Sequence, residues 1–341
     1  MRIGRFDTDK EVLVVAEIGN NHEGSYALAE ELVGRAAEAG TSAVKFQTFK
    51  TELFVSRKEE ARFRQLKSYE LTFNQFEKLS ELAKAYGLLF ISTPFDLESA
   101  LFLKDIVAAY KIASGDNTFY PLLEAVASTG LPIVMSGGLS EISQLQRSQG
   151  FIEKVWQERG IVQSLAILHC VTAYPVPPAE ANLGAIDQLR KELGCTIGYS
   201  DHTLGIEAAF LAVALGARII EKHFTIDKHY SSFRDHQLSA DPEEMSLLVR
   251  RVREATELLG SNLKTVQESE KGLEQAVRRS IVARRDLPKG TILAPADIMW
   301  TRPANGLPPG NEPLLIGKTL SVAVSFGEPI LLEYVVDAIH A

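Results

Sequence analysis

The sequence predicts an α/β fold, a (β/α)8 TIM barrel followed by a small β-rich domain. Three observations carry this expectation. Short apolar runs recur eight times, amphipathic helical stretches separate them, and the pattern breaks after Leu259. Strands alternating with helices imply parallel β/α units. Eight such units within about 260 residues is the size of a closed barrel. A doubly wound open sheet is the alternative, but no G-x-G-x-x-G follows the first run.

The first run is VLVVA (12–16), and SYALAEELVGRAAEAG after it repeats apolar residues at spacings of three and four before closing on glycine. SAVKF (42–46) is the second run; NQFEKLSELAKAYG then leads into the third, LLFIS (88–92). AAYKIA (108–113), LPIVMS (131–136), SLAILHC (164–170), CTIGYS (195–200) and ARIIEKHF (217–224) complete the set. These place the barrel domain at residues 1–260. The polar, helix-prone stretch 261–279 reads as a linker. From Ser280 to Ala341 short strands are broken by the turn signals DLPKGT and PANG. About 60 residues make a marginal core, so this domain is expected to lean on the barrel or on a second subunit.

Bulk properties narrow the function. The 341 residues are 45% hydrophobic and 23% charged, enough for a full core and without bias toward disorder. No apolar run approaches the roughly 18 residues of a membrane helix. The opening MRIGRFDTDKEVLVV has no apolar signal segment with a cleavage site, so a cytoplasmic protein is expected. Cys170 and Cys195 border apolar runs and read as two buried thiols rather than a disulfide framework. A net charge of −8 without a basic stripe argues against nucleic acid. It leaves anionic substrates open, because a local cluster of cations binds them whatever the total charge.

In a barrel the site lies at the C-terminal ends of the strands, and there every run ends in polar groups. Glu17 follows run one, Lys45 and Gln47 end run two, and Ser92 and Thr93 end run three. Lys111 and Ser114 end run four, and Ser136 ends run five. His169, Thr172 and Tyr174 follow run six; Ser200 and His202 follow run seven; Glu221 and His223 end run eight. Residues two apart share a face, so Lys45 pairs with Gln47, Ser200 with His202, and Glu221 with His223. Runs seven and eight are neighbours in the barrel, which brings the two histidines face to face. Two imidazoles with a carboxylate in reach suit Mn²⁺, Fe²⁺ or Zn²⁺ with open coordination positions. Lysines and hydroxyls at one mouth suit a phosphate and a carboxylate. Together they fit carbon–carbon bond formation between an anionic enol phosphate and an aldehyde. The structural alternatives are helix N-caps for the serines, salt bridges for the lysines, a core position for His169, and loop positions for His22, His229 and His236.

The motifs AEIGNNHEG (16–24), VKFQT (44–48), FISTPFD (90–96), AYKIASGD (109–116), LHCVTAYP (168–175), IGYSDHTLG (197–205), EKHFT (221–225) and RDHQLSADP (234–242) stand in the order of a known family. With RSIVARRDLPKGT and WTRPANG beyond them, the chain resembles the N-acetylneuraminate (sialic acid) synthases, which carry a C-terminal antifreeze-like (SAF) domain. The resemblance implies a phosphoenolpyruvate-dependent condensation with an open-chain N-acetylated hexosamine, N-acetylmannosamine or a 2,4-diacetamido analogue. Phosphate leaves by C–O cleavage. It implies a divalent metal, commonly Mn²⁺, on His202 and His223, with Glu221 reaching it through water, and no organic cofactor. Phosphoenolpyruvate contacts fall on Lys45, Thr93, Lys111, Ser114, Ser136 and Ser200. Gln47, Thr172, Tyr174 and Asp235 fall near the sugar, and Glu17 at the reaction centre. Arg302 matches an arginine that enters the partner's barrel in a domain-swapped homodimer. Thr172, Gly137 and Asp116 depart from the family's usual Asn, Thr and Glu, and bear on which amino sugar is used. A synthase acting on a phosphorylated sugar, a Schiff-base aldolase using Lys45 or Lys111, and a non-catalytic sugar-binding barrel are the competing readings.

Overall fold

Eight parallel strands close into a barrel in the order in which the chain makes them. An N-terminal hairpin of β1 (Arg2–Ile3) and β2 (Phe6–Asp7) precedes them. The barrel strands are β3 (Leu13–Gly19), β4 (Ala43–Thr48), β5 (Leu89–Pro94), β6 (Ala109–Ile112), β7 (Ile133–Ser136), β8 (Leu165–Cys170), β9 (Thr196–Asp201) and β10 (Ile219–His223). β10 pairs with β3, His223 opposite Glu17, and closes the ring. Every apolar run expected as a strand is one, and the closed barrel replaces the open-sheet alternative. The structure, a computed structural model, describes residues 1–337. It divides into two units, Met1–Ser261 and the remainder from Asn262.

Helices between the strands bury one apolar face each. In Tyr26–Glu38 the buried residues are Leu28, Ala29, Leu32, Val33 and Ala36, and Ser25 caps the start by accepting from the Leu28 N–H. Phe73–Ala85 starts on a capping box of Thr72 and Gln75, and Pro242–Leu259 is capped by Asp241. The barrel interior is filled at its lower end by Leu13, Val15, Ala43, Ile91, Ala109, Val134, Ala166, Leu168 and Ile219. Ile3 and Phe6 of the hairpin belong to that same cluster, so the hairpin plugs the barrel floor.

Between barrel and helical shell lies one buried ion pair. Asp201 and Lys222 are cross-strand partners that point away from the barrel interior, 0% and 1% exposed. Lys222 Nζ donates to Asp201 Oδ2 at 3.0 Å and to the Thr203 carbonyl at 2.5 Å. Asp201 Oδ1 accepts from the Thr203 amide and hydroxyl, each at 2.8 Å. The pair therefore ties the ends of β9 and β10, one residue away from His202 and His223. Burial pulls the Lys222 ammonium below its usual value, and Asp201 opposes that pull.

In the second unit β11 (Ser280–Ala283) pairs antiparallel with β12 (Ile298–Thr301), and β13 (Thr319–Leu320) with β14 (Val335–Val336). Ile281, Leu287, Leu293, Ile298, Leu315, Leu320, Val324 and Ile330 form its core. The expected linker residues from Asn262 onward group with this unit, where they form two single-turn helical segments. Of the thiols, Cys170 is buried, Cys195 only half-buried, and both are free.

Removing one member of a buried ion pair strands the other and costs about 3–5 kcal/mol. Lys222→Met is accordingly expected to lower the barrel's unfolding free energy, measured by urea titration, by that amount. The double variant Asp201→Leu, Lys222→Met should recover much of it. A loss in the double variant equal to the sum of the Asp201→Leu and Lys222→Met losses would show that the charges are not coupled.

Candidate active site

Directly above the apolar floor sit four buried charges. Lys45 Nζ lies 3.1 Å from Glu17 Oε2 and 3.3 Å from Glu221 Oε1; Lys111 Nζ lies 3.3 Å from Glu221 Oε1. All four residues are at most 5% exposed. Strand pairing sets Glu17 beside Lys45, and Ser200 beside Glu221. Ser200 Oγ donates to Glu221 at 2.9 Å, Gln47 Nε2 to Glu17 at 3.1 Å, and Lys45 to Thr93 Oγ1 at 3.5 Å. A charge buried alone costs far more than one buried in pairs, so each group depends on its neighbours.

The charges also set one another's protonation. Burial pushes the Glu17 carboxyl up, and Lys45 only partly offsets this. Burial pushes Glu221 up too, but Lys111 and Lys45 outweigh it and hold Glu221 well below the usual carboxylate range. Burial pulls Lys45 down, and Glu17 and Glu221 more than reverse it. Lys111 ends below its ordinary value, because burial is opposed chiefly by Glu221 and Lys45 repels it. The surrounding charges and burial thus push the two carboxyls apart, Glu17 upward and Glu221 downward.

Beside Lys111 lies a cradle of hydroxyls. Ser136 Oγ and Thr172 Oγ1 are buried without a hydrogen-bond partner. Ser114 Oγ accepts from the Gly138 amide at 3.1 Å. A Cβ at Gly138 would lie 2.3 Å from Thr172 Oγ1 and 2.6 Å from Ser114 Oγ, so glycine is what leaves the cradle open. Asn117 Nδ2 holds the loop by donating to the carbonyls of Ser136 and Gly138, each at 3.2 Å. Neither Ser136 nor Ser200 caps a helix. Two unpartnered donors beside an ammonium match an anion with several acceptor oxygens.

Across the mouth the His202 and His223 rings stand 5.3 Å apart between centroids. The Tyr174 ring covers both, at 4.2 Å and 6.0 Å. His202 Nδ1 donates to the Val171 carbonyl at 2.8 Å, which orients the ring; burial alone would lower its pKa, but Cys170 and that carbonyl more than reverse this. His223 Nδ1 is buried without a partner, and burial holds this imidazole well below its usual pKa and hence neutral. A neutral imidazole, an oriented one and open space fit a borderline divalent ion with two protein ligands. Among the described residues no cluster of three or more histidine, cysteine or carboxylate ligands is assembled.

These groups share a cavity of about 900 Å³. Every barrel residue that the family resemblance assigns to the site lines it: Glu17, Lys45, Gln47, Thr93 and Lys111 low down, with Ser114, Ser136, Thr172, Tyr174, Ser200, His202, Glu221, His223 and Asp235 around them. Ser92 does not; its hydroxyl bonds Thr48 and the Phe46 carbonyl. Arg302 belongs to the second unit, where it is exposed. Asp116 also lines the cavity, and burial raises its carboxyl to about 6. At Gly137 a Cβ would meet Leu145 Cδ1 at 3.0 Å and the Leu168 carbonyl at 3.3 Å, which leaves little room for the family's Thr.

Two wall segments escaped the strand-end rule. Phe54, Arg62, Gln65 and Leu66 come from the helices Thr51–Phe54 and Glu60–Tyr69. Phe233 and Arg234 come from the connection after β10, with Arg234 4.7 Å above the Tyr174 ring. His236 anchors that connection rather than standing in a free loop. It is fully buried, with Nδ1 2.6 Å from Thr225 Oγ1 and Nε2 2.9 Å from Glu23 Oε1. His22 is buried as well, which lowers its pKa to about 4, while His229 is exposed. His169 does not line the cavity; it bonds the Ala181 carbonyl at 2.9 Å and stacks on Tyr199. Asn20, Phe95 and Cys170 lie at strand ends and were within reach of the rule.

Comparison with known proteins gives concordant matches. Residues 32–264 match the family model described as NeuB family, and residues 278–336 the one described as SAF domain. An N,N'-diacetyllegionaminic acid synthase of Legionella pneumophila is 39% identical over 94% of each chain. One of the same name from Campylobacter jejuni is 36% identical over 87% of this chain and 92% of its own. A crystal structure of an N-acetylneuraminic acid (sialic acid) synthetase from Leptospira borgpetersenii, in complex with citrate, superposes with a TM-score of 0.74 at 35% identity. It covers 80% of this chain and 94% of its own.

The cradle gives a direct test. Gly138→Ala is expected to fold and to weaken inorganic phosphate binding at least about tenfold by calorimetry, the size of one or two lost charge-assisted hydrogen bonds. Unchanged affinity would place the anion elsewhere.

Proposed function

The chain belongs to the NeuB family of sialic-type acid synthases, transferases that form a C–C bond, and we propose that it condenses phosphoenolpyruvate with an open-chain N-acetylated hexosamine. N-Acetylmannosamine and its 2,4-diacetamido analogues are the candidates, and the two legionaminate-forming relatives favour a 2,4-diacetamido sugar. The observation that carries the reading is the pairing of an anion cradle with an imidazole pair in one cavity.

The residues divide the work. Lys111, Ser114 and Ser136 take the phosphate, and Lys45, Thr93 and Ser200 lie where they complete the set around phosphoenolpyruvate. Gln47, Tyr174 and Asp235 bound the sugar side, and Thr172, whose hydroxyl belongs to the cradle, stands between the two substrates. C3 of phosphoenolpyruvate bonds to the sugar's C1 aldehyde, water adds at C2, and the C2–O bond breaks to release phosphate and leave a 2-keto acid. Glu17, whose carboxyl is raised by burial, accepts the proton of the incoming water and returns it to the new C1 oxygen. His202 and His223 would hold a divalent ion, with Mn²⁺ the ion proposed and Glu221 near enough to meet it through water. When bound, such an ion supplies Lewis acidity toward the aldehyde oxygen. No organic cofactor is required. Arg302 of a partner copy is proposed to enter the mouth, making the active form a dimer.

A phosphate-release assay with phosphoenolpyruvate, Mn²⁺ and a panel of N-acetylhexosamines tests the reading. Turnover is expected with at least one unphosphorylated amino sugar and is expected to disappear with EDTA. His202→Ala and His223→Ala should lose metal binding and at least about a hundredfold in rate, in line with loss of a metal's transition-state stabilisation. Full turnover by either variant in metal-stripped buffer contradicts the assignment. A lysine adduct trapped by borohydride would favour the aldolase reading instead.

A further inference from the structure

A hydrogen-bond chain leads from Glu17 to the cavity wall. Glu17 Oε1 accepts from Gln47 Nε2 at 3.1 Å, and Gln47 Oε1 accepts from Asn20 Nδ2 at 2.9 Å. A carboxylate has no hydrogen to give, so the sense of both amides is fixed from that end. Gln47 turns its nitrogen to Glu17 and its oxygen to Asn20. Asn20 then turns its nitrogen to Gln47 and leaves its oxygen without a partner. Gly19, at φ +53°, makes space for this arrangement: a Cβ there would lie 2.9 Å from Glu17 Oε1 and 3.2 Å from Gln47 Nε2.

The chain ends on an unused acceptor. Asn20 is 7% exposed and lines the cavity, and its Oδ1 is buried without a partner. A buried carbonyl left unpaired costs about 1–3 kcal/mol, so this oxygen is set for a donor that arrives with a ligand. Electrostatics says which ligand. The oxygen is the negative end of an amide dipole anchored on a carboxylate, and it repels phosphate and carboxylate oxygens. The anionic substrate is met by Lys45, Lys111 and the hydroxyls. The donor must come from the neutral one.

We propose that Asn20 is a specificity-determining residue whose Oδ1 accepts the N–H of the sugar's N-acetyl group. This rests on the amino-sugar reading above. An amide N–H can only donate, and this oxygen can only accept; a keto or ester group at the same carbon leaves two acceptors facing each other.

The test measures sugar binding by ligand-observed NMR titration in metal-free buffer, where turnover is absent. The probes are N-acetylmannosamine and 2-deoxyglucose, which lacks the acetamido group. Asn20→Ala and the near-isosteric Asn20→Leu are expected to bind N-acetylmannosamine about tenfold more weakly, the size of one net hydrogen bond. Binding of 2-deoxyglucose and of phosphoenolpyruvate should stay unchanged. Equal loss for both sugars, or no loss for either, overturns the proposal. Phosphate release by the unaltered enzyme separates the two claims. If it turns over amino sugars while the variants fail to discriminate, the Asn20 assignment alone is wrong. If it neither binds nor uses any amino sugar, the premise falls and the assignment with it.

Discussion

The alternation of ammonium and carboxylate among Lys45, Glu17, Glu221 and Lys111 is the constraint around which the site is arranged. Two positive and two negative groups, nearly free of water, persist only because each lies within 3.3 Å of an opposite charge. The set is neutral as a whole, yet it is asymmetric. Lys111 is ion-paired to a single carboxylate and lines the same cavity as the unpartnered hydroxyls of Ser136 and Thr172. Glu17 faces the Gln47 amide, which in turn accepts from Asn20. One side therefore offers positive charge and donors, and the other offers acceptors. An anion and a neutral polyol are sorted before any chemistry begins.

The barrel makes that asymmetry rigid. Alternation along each strand stacks an apolar floor, a charged layer and a polar mouth within two or three residues of one another. The hairpin closes the floor with Ile3 and Phe6, so the charged layer rests on apolar side chains. On the outer face of β9 and β10, the Asp201–Lys222 pair fixes the two strand ends that carry the imidazoles. Local polarity inside thus depends on a second polar lock outside.

Much of this was legible in the sequence because the signal is periodic. Every barrel strand is an apolar run, and Lys45, Lys111, Glu221 and His223 interrupt or end those runs where an uncompensated polar group would be expensive. Their joint burial follows from strand order alone. The β1–β2 hairpin was not legible, because strands of two residues carry no periodicity. Phe54, Arg62 and Gln65 were missed because they sit on an extra helical excursion after β4 rather than at a strand end. His236 read as a loop residue, since its burial depends on Glu23 and Thr225, far away in sequence or across a turn. The direction of the Asn20 amide was hidden as well: it is set by a partner's partner, and only coordinates join Asn20 to Glu17.

The proposed chemistry asks this site to break one particular bond. Donors around the phosphate and a proton-carrying Glu17 beside the carbonyl carbon favour attack of water on C2, not on phosphorus. Phosphoenolpyruvate carrying oxygen-18 in the bridging C2–O–P position reports on this directly. With the amino sugar that supports turnover, the account predicts that the label leaves in inorganic phosphate. Recovery of the label at C2 of the sugar acid would mean P–O cleavage and would contradict the account.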